Sequence, residues 1–226
     1  MQSKRIATII IALTCSWQVL MSQPTALLRD SLQTLRNQIA TCPYSTELHL
    51  KKAAVNLQLG QFDYALEEYN LVLQHEPGNL SALFFRAYVH KEKRRYDLAY
   101  SDYEAILKRF PFHLEALLCQ SQVCVLSEKT SEAADILNSL VSMYPDSANV
   151  YVARAGFEEK MNQLDAALYD WECAINLHPN NHDYRISRVR LLLLMNRKKQ
   201  AREALKQMEQ MGVPHALLRE WYQKAE

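Results

Sequence analysis

The sequence predicts an all-α fold, a solenoid of helical hairpins, on three observations. Pro43, Pro77, Pro111, Pro145 and Pro179 stand 34 residues apart, with Pro214 one residue late and only Pro24 outside the series. Ala65, Ala99, Ala133, Ala167 and Ala201 keep the same interval. Apolar side chains follow each alanine four residues on (Tyr69, Tyr103, Leu137, Trp171, Leu205) and three further (Val72, Ile106, Leu140, Ala174, Met208), which is the spacing of one helical face. A fixed period of this length marks a repeat array.

The first 22 residues stand apart from the array. Lys4 and Arg5 precede a short apolar run, "IATIIIAL", which fades into polar sequence. A basic start followed by a run too short for a comfortable transmembrane span reads as a secretory signal peptide. We expect cleavage after Ser22, which removes two positive charges and no acid and takes the net charge from +1 to −1. Two alternatives stay open: an uncleaved anchor, and a lipid-anchored form through Cys15, although Ala12-Leu13-Thr14 matches a lipoprotein signal poorly.

Residues 23–45 follow as a capping helix, with Leu28, Leu32, Leu35 and Ile39 on one face and Pro43 in phase with the later prolines. Five hairpins span 46–79, 80–113, 114–147, 148–181 and 182–215. Ala53, Ala87, Ser121, Ala155 and Val189 each lie twelve residues before the periodic alanine, on the preceding helix. Antiparallel helices approach closely only where side chains are small, so the two positions mark the crossing. Proline, lacking an N–H donor, closes each unit. One hairpin cannot bury its apolar face alone, so neighbours must stack. Residues 216–226, with Leu217, Leu218, Trp221 and Tyr222, read as a closing helix.

"GQFDYALEEYNLVLQHEPGN" closely resembles the second half of the tetratricopeptide repeat, and the resemblance covers residues 46–215. The first half is degenerate, with His49, Leu83, Leu117, Tyr151 and Arg185 where the family favours tryptophan. The third and fifth repeats lack an aromatic residue at Leu137 and Leu205. The resemblance implies a right-handed superhelix whose first helices line a concave, peptide-holding groove. It places Leu50, Phe84, Leu118, Val152 and Ile186 towards that groove, followed by Tyr88 and Arg190 one turn on, and by Val125 on a third level. The family's carboxylate clamp uses basic residues at the first of these levels and asparagine at the second. Neither is present, which disfavours a chaperone-type clamp. The ladder suits an apolar peptide or helix, or else it simply packs between neighbouring first helices.

Composition excludes more than it assigns. Four glycines are few for a phosphate-binding enzyme fold, and HExxH, G-x-S-x-G, GxGxxG and Walker sequences are all missing. His75, His113, His178, His182 and His215 fall at the turns, and His90 is expected to pack within a first helix. The adjacent acids Glu67-Glu68 and Glu158-Glu159 do not face each other. Cys42, Cys119, Cys124 and Cys173 lack zinc spacing and are expected as buried free thiols. Residues 185–202 hold seven Arg or Lys and no acid. Arg188, Arg190, Arg197, Lys198 and Lys199 therefore form either a patch for an anionic partner or a solvated face beside the acidic fourth repeat.

The expectation is a non-enzymatic protein-interaction scaffold, exported to the periplasm or cell envelope of a bacterium. It needs no cofactor and no metal, and takes a protein or peptide partner rather than a small-molecule substrate or nucleic acid. Membrane association would come only through the N-terminus. The rivals are a regulatory subunit that modulates one partner enzyme and, if the N-terminus is not a signal, a cytosolic cochaperone.

Overall fold

A computed structural model describes residues 25–226, and the regular structure there is entirely α-helical. The predicted signal peptide and Cys15 lie outside the described residues. A lone helix, α1 (Thr25–Thr41), precedes five hairpins. These are α2 (Thr46–Gln58) with α3 (Phe62–His75), α4 (Leu80–Glu92) with α5 (Tyr96–Arg109), and α6 (Leu114–Leu126) with α7 (Thr130–Met143). Then come α8 (Ala148–Lys160) with α9 (Leu164–Leu177), α10 (His182–Leu194) with α11 (Lys198–Gln210), and a last helix, α12 (His215–Lys224). First and second helices both recur every 34 residues.

The turn inside each hairpin repeats as strictly as the helices. Gly60, Arg94, Glu128, Asn162 and Asn196 all adopt positive φ, between 58° and 69°. The next amide reaches back over the turn in each case, as from Gln61 N to Asn56 O and from Gln163 N to Glu158 O, both at 2.8 Å. This is the left-handed helix ending that satisfies orphan carbonyls. The turn between hairpins combines the periodic proline with a cap. Asn79 Oδ1 accepts from Ala82 N at 3.0 Å, and Asn181 Oδ1 from Asp183 N at 3.0 Å and Tyr184 N at 3.3 Å. His113 does the same through Nδ1, which accepts from Ala116 N at 3.2 Å. It is therefore a half-buried cap rather than a solvated turn residue.

The small residues of the crossing are fully shielded. Ala53, Ala87, Ala155 and Val189 show no exposure, nor do Ala65, Ala99, Ala133, Ala167 and Ala201. The chain forms two compact units that divide within α7, at Ala133–Ala134. In the first, Tyr69, Val72, Ala87, Val89, Tyr103, Ile106 and Val123 form one continuous core. Leu28, Leu32 and Leu35 of α1 are buried, and α1 packs on α2. In the second, Val189, Leu192, Leu205, Met208 and Leu218 pack together, with Trp221 and Tyr222 half-buried against them. Leu217, expected in that closing contact, is exposed, because the helix turns it away from Leu218. Among the described residues no helix is long and apolar enough to cross a membrane.

Candidate functional site

The residues expected on the first-helix face differ in what they offer. Leu50, Phe84, Tyr88 and Ile186 are half-buried. Leu118, Val125 and Val152 are buried, so truncating them opens the core and they do not present a free apolar surface. Phe84 illustrates the mixed role. Its ring packs edge-on against Phe85 and Tyr103, with centroids 5.5 and 5.7 Å away. Lys91 Nζ sits 4.9 Å from the centre of the Tyr88 ring, within cation–π range. Burial raises the Tyr88 hydroxyl pKa, and the charge of Glu92 adds to the effect.

Polar members of the same face bind one another across successive first helices. Lys91 Nζ donates to Gln122 Oε1 at 3.0 Å. Arg190 Nη2 donates to both oxygens of Glu159, at 2.8 and 2.6 Å, and Trp171 Nε1 donates to the same carboxylate at 2.8 Å. Of the basic run, Arg188 pairs with Glu172 at 3.0 Å and Arg197 with Asp165 at 2.6 Å, so three of its arginines are neutralised by the acidic neighbouring hairpin. Lys198 and Lys199 are exposed.

A second polar system was not foreseen from the sequence. Arg86 Nε and Nη2 donate to Asp102 Oδ2 and Oδ1 at 2.8 and 2.5 Å, and Nη1 donates to Asn70 Oδ1 at 2.8 Å. Arg154 repeats this with Asp170, at 2.7 and 2.8 Å, and with Asn138 at 3.1 Å. Each arginine thus clamps its own second helix and the one before it. In the first hairpin Lys52 and His49 share Glu68, at 2.6 and 2.5 Å, and His49 Nε2 faces Pro43 O at 2.9 Å. His49 is therefore a buried structural residue. The signal for the clamp was present in Arg86 and Arg154, two periods apart. It was missed because the paired residues lie sixteen apart, on different helices.

Glu158 is the most perturbed acid. It is buried, its Oε1 lies 3.8 Å from Arg154 Nε, and its Oε2 has no hydrogen-bond partner among the described residues. Burial, aided by the charge of Asp170 and opposed by Arg154, pushes its pKa up to about 7. Glu159, its neighbour, faces Arg190 instead, so the two acids act separately. His90 is half-buried, and burial lowers its pKa. Cys124 is buried and its thiol is pushed up to about 11, while Cys119 is also raised by burial. Cys42 is exposed, contrary to the expectation of a packed thiol. Among the described residues no group of three or more His, Cys, Asp or Glu is placed to hold a metal ion.

These features define an α-solenoid of stacked helical hairpins whose polar side chains mostly tie one hairpin to the next. Residues 90–148 match the tetratricopeptide repeat family, and the fold is that of solved tetratricopeptide-repeat proteins. No curated protein matches the sequence. Among solved structures, a tetratricopeptide repeat protein from Parabacteroides merdae aligns at 20% identity with a TM-score of 0.69, over 97% of this chain and 84% of the other. MamA from Desulfovibrio magneticus aligns at 18% identity and TM-score 0.62, over 74% of this chain and 94% of its own. YrrB, a tetratricopeptide repeat protein with an unusual peptide-binding site, aligns at 16% identity and TM-score 0.55, over 76% and 89%.

Proposed function

We propose that this chain is a non-enzymatic scaffold that holds a protein or peptide partner against its first helices, exported to the bacterial cell envelope. The observation that carries the binding reading is the half-buried apolar row Leu50, Phe84 and Tyr88 on α2 and α4, which packs on the core yet keeps part of each side chain at the surface. Surface of this kind anchors peptides by shape and apolar contact. Leu118 and Val125, on the next first helix of the same unit, are buried. The peptide-binding site named for YrrB gives a precedent on the same fold. Export rests on Lys4, Arg5 and the apolar run after them.

A photo-crosslinking residue at Leu50 or Tyr88, compared with one at the exposed second-helix position Tyr64, tests the binding face in native cells. A partner adduct formed at Leu50 and Tyr88 but not at Tyr64 is expected, and equal labelling at all three refutes the reading. Intact mass of the envelope form is expected to begin at Gln23. A mass that retains Met1 to Ser22 rejects cleavage, and added diacylglycerol on Cys15 assigns the lipid-anchored form.

A further inference from the structure

Three hairpins place a carboxylate of the second helix on a cation of the first: Lys52–Glu68, Arg86–Asp102 and Arg154–Asp170. The fifth hairpin keeps the cation, Arg188, but has Ala204 where the others have the acid. The third has neither, with Gln120 and Ile136. A cavity of about 310 Å³ opens beside Ala204 in the fifth hairpin, lined by Arg188, Arg197, Glu172, Gln200 and Gln207. That volume is at the small end of ligand cavities, which run from about 300 to 1,000 Å³.

Arg188 is also held differently from its counterparts. In Arg86 and Arg154 the Nε–Nη2 edge grips the acid and Nη1 reaches back to Asn70 or Asn138 on the preceding second helix. In Arg188 the Nε–Nη2 edge meets a single oxygen of Glu172, at 3.1 and 3.0 Å. Glu172 is the counterpart of Asn70 and Asn138, and its side chain is 46% exposed. The guanidinium edge that elsewhere carries two parallel bonds is here engaged one-sidedly by a residue free to swing aside.

We propose that this cavity is a carboxylate-binding notch that takes the acidic side chain of a partner peptide. The entering carboxylate accepts from Arg188 Nε and Nη2, as Asp102 and Asp170 accept from their arginines. Glu172 shifts to Nη1, where Asn70 and Asn138 stand in the other hairpins. Such a two-bond arginine–carboxylate pair is among the stronger polar contacts. Gln200 and Gln207 supply amide donors at the wall, while Glu203, also on the rim, selects against a second negative charge. The peptide source rests on the scaffold reading above. The carboxylate chemistry does not, and free acetate tests it alone.

The experiment follows the Arg188 Nε–H signal by NMR in the full chain at constant ionic strength. Acetate, N-acetyl-aspartate amide and N-acetyl-alanine are titrated, with acetamide and sodium chloride as controls. Saturable shifts with the carboxylates alone are expected. Stronger binding of the aspartate derivative assigns the source to a side chain, and stronger binding of N-acetyl-alanine keeps the notch but assigns it to a chain terminus. No saturable shift, or an equal shift with chloride, overturns the proposal. Two variants keep the test independent of folding defects. Arg188→Gln retains helical circular dichroism but binds the aspartate derivative roughly tenfold more weakly or worse, as expected for a lost charge-assisted hydrogen bond. Ala204→Asp fills the notch from within, abolishing the acetate response without lowering Tm. A clear fall in Tm on Ala204→Asp means that the space rejects a carboxylate, and the proposal fails.

Discussion

At Glu158 burial acts against charge, and the sign of the consequence follows directly. Its folded pKa stands at about 7, above the ordinary 4.5 of a glutamate. Below the lower value the group is protonated in both folded and unfolded chains and has no effect on stability. Between the two values the unfolded chain releases the proton while the folded chain holds it, so stability falls as pH rises and is fully reduced above about 7. At about 1.4 kcal/mol per unit, the loss is on the order of 3 kcal/mol. Glu158→Gln should therefore match the wild type in denaturant melts near pH 4 and exceed it near pH 8. A wild-type advantage at pH 8 would contradict the assignment. Thiol chemistry offers a second check at this scale. Cys42 is exposed, whereas Cys124 is buried with its thiol pushed up to about 11. Iodoacetamide at pH 8 should label Cys42 in the native protein and reach Cys124 only in denaturant, because the thiolate is the reactive form. Native labelling of Cys124 at a rate near that of Cys42 would count against its burial.

The hairpin turn shows how one backbone shape admits unequal residues. Gly60 adopts φ 69° and Glu128 φ 64° at equivalent places. Glycine takes this shape freely, but a residue with a Cβ is disfavoured there by about 1–2 kcal/mol. A Cβ built on Gly60 meets nothing within 4 Å, so Gly60→Ala isolates the backbone cost. It should lower stability by about 1 kcal/mol, and Glu128→Gly should raise it by about 0.5–1 kcal/mol after the added freedom of the unfolded chain is counted. Opposite signs in chemical melts would show that the turn tolerates side chains for another reason. At the hairpin crossing, Ala99 and Ala133 are equally shielded, so the aliphatic Leu137 of the third repeat does not loosen its crossing. Ala99→Leu and Ala133→Leu should each cost about 1–3 kcal/mol or more by overpacking, and a harmless substitution at either site would contradict close packing there. The helices and crossings were legible because each rests on a short-range period that survives in every repeat. The arginine clamps were not, since Gln120 and Ile136 erase them in the third repeat and Ala204 in the fifth. Exposure along the first-helix face was hidden for a different reason. Lys91 with Gln122 and Glu159 with Arg190 satisfy one another between helices, and periodicity does not reveal what faces a neighbour rather than solvent.

Across the whole chain, a solenoid gains stability from nearest-neighbour stacking, so its ends need closure. At the C-terminus α12 supplies it. Leu218 is 1% exposed, and Trp221 and Tyr222 pack on the core that holds Leu205 and Met208. Polar ties fix the helix in place. Arg202 Nε donates to Ala225 O at 2.8 Å, and Tyr222 Oη donates to Glu209 Oε2 at 3.0 Å while His215 meets Oε1 at 2.5 Å. These contacts are local to α10, α11 and α12, and a nearest-neighbour system transmits their loss only weakly along the array. A chain ending at Val213 should therefore lose amide hydrogen-exchange protection first in α11, less in α10 and least in α8. The newly uncovered Leu205 and Met208 should make the truncated chain self-associate in sedimentation runs, as exposed apolar patches do. Leu218→Ala, which removes the central contact while keeping the helix, should lower stability by about 2–5 kcal/mol if the site cannot collapse. Uniform loss of protection from α8 to α11 would mean that this unit unfolds as one block and that the stacking is not quasi-one-dimensional. A graded loss, steepest beside the missing cap, is the outcome the packing predicts.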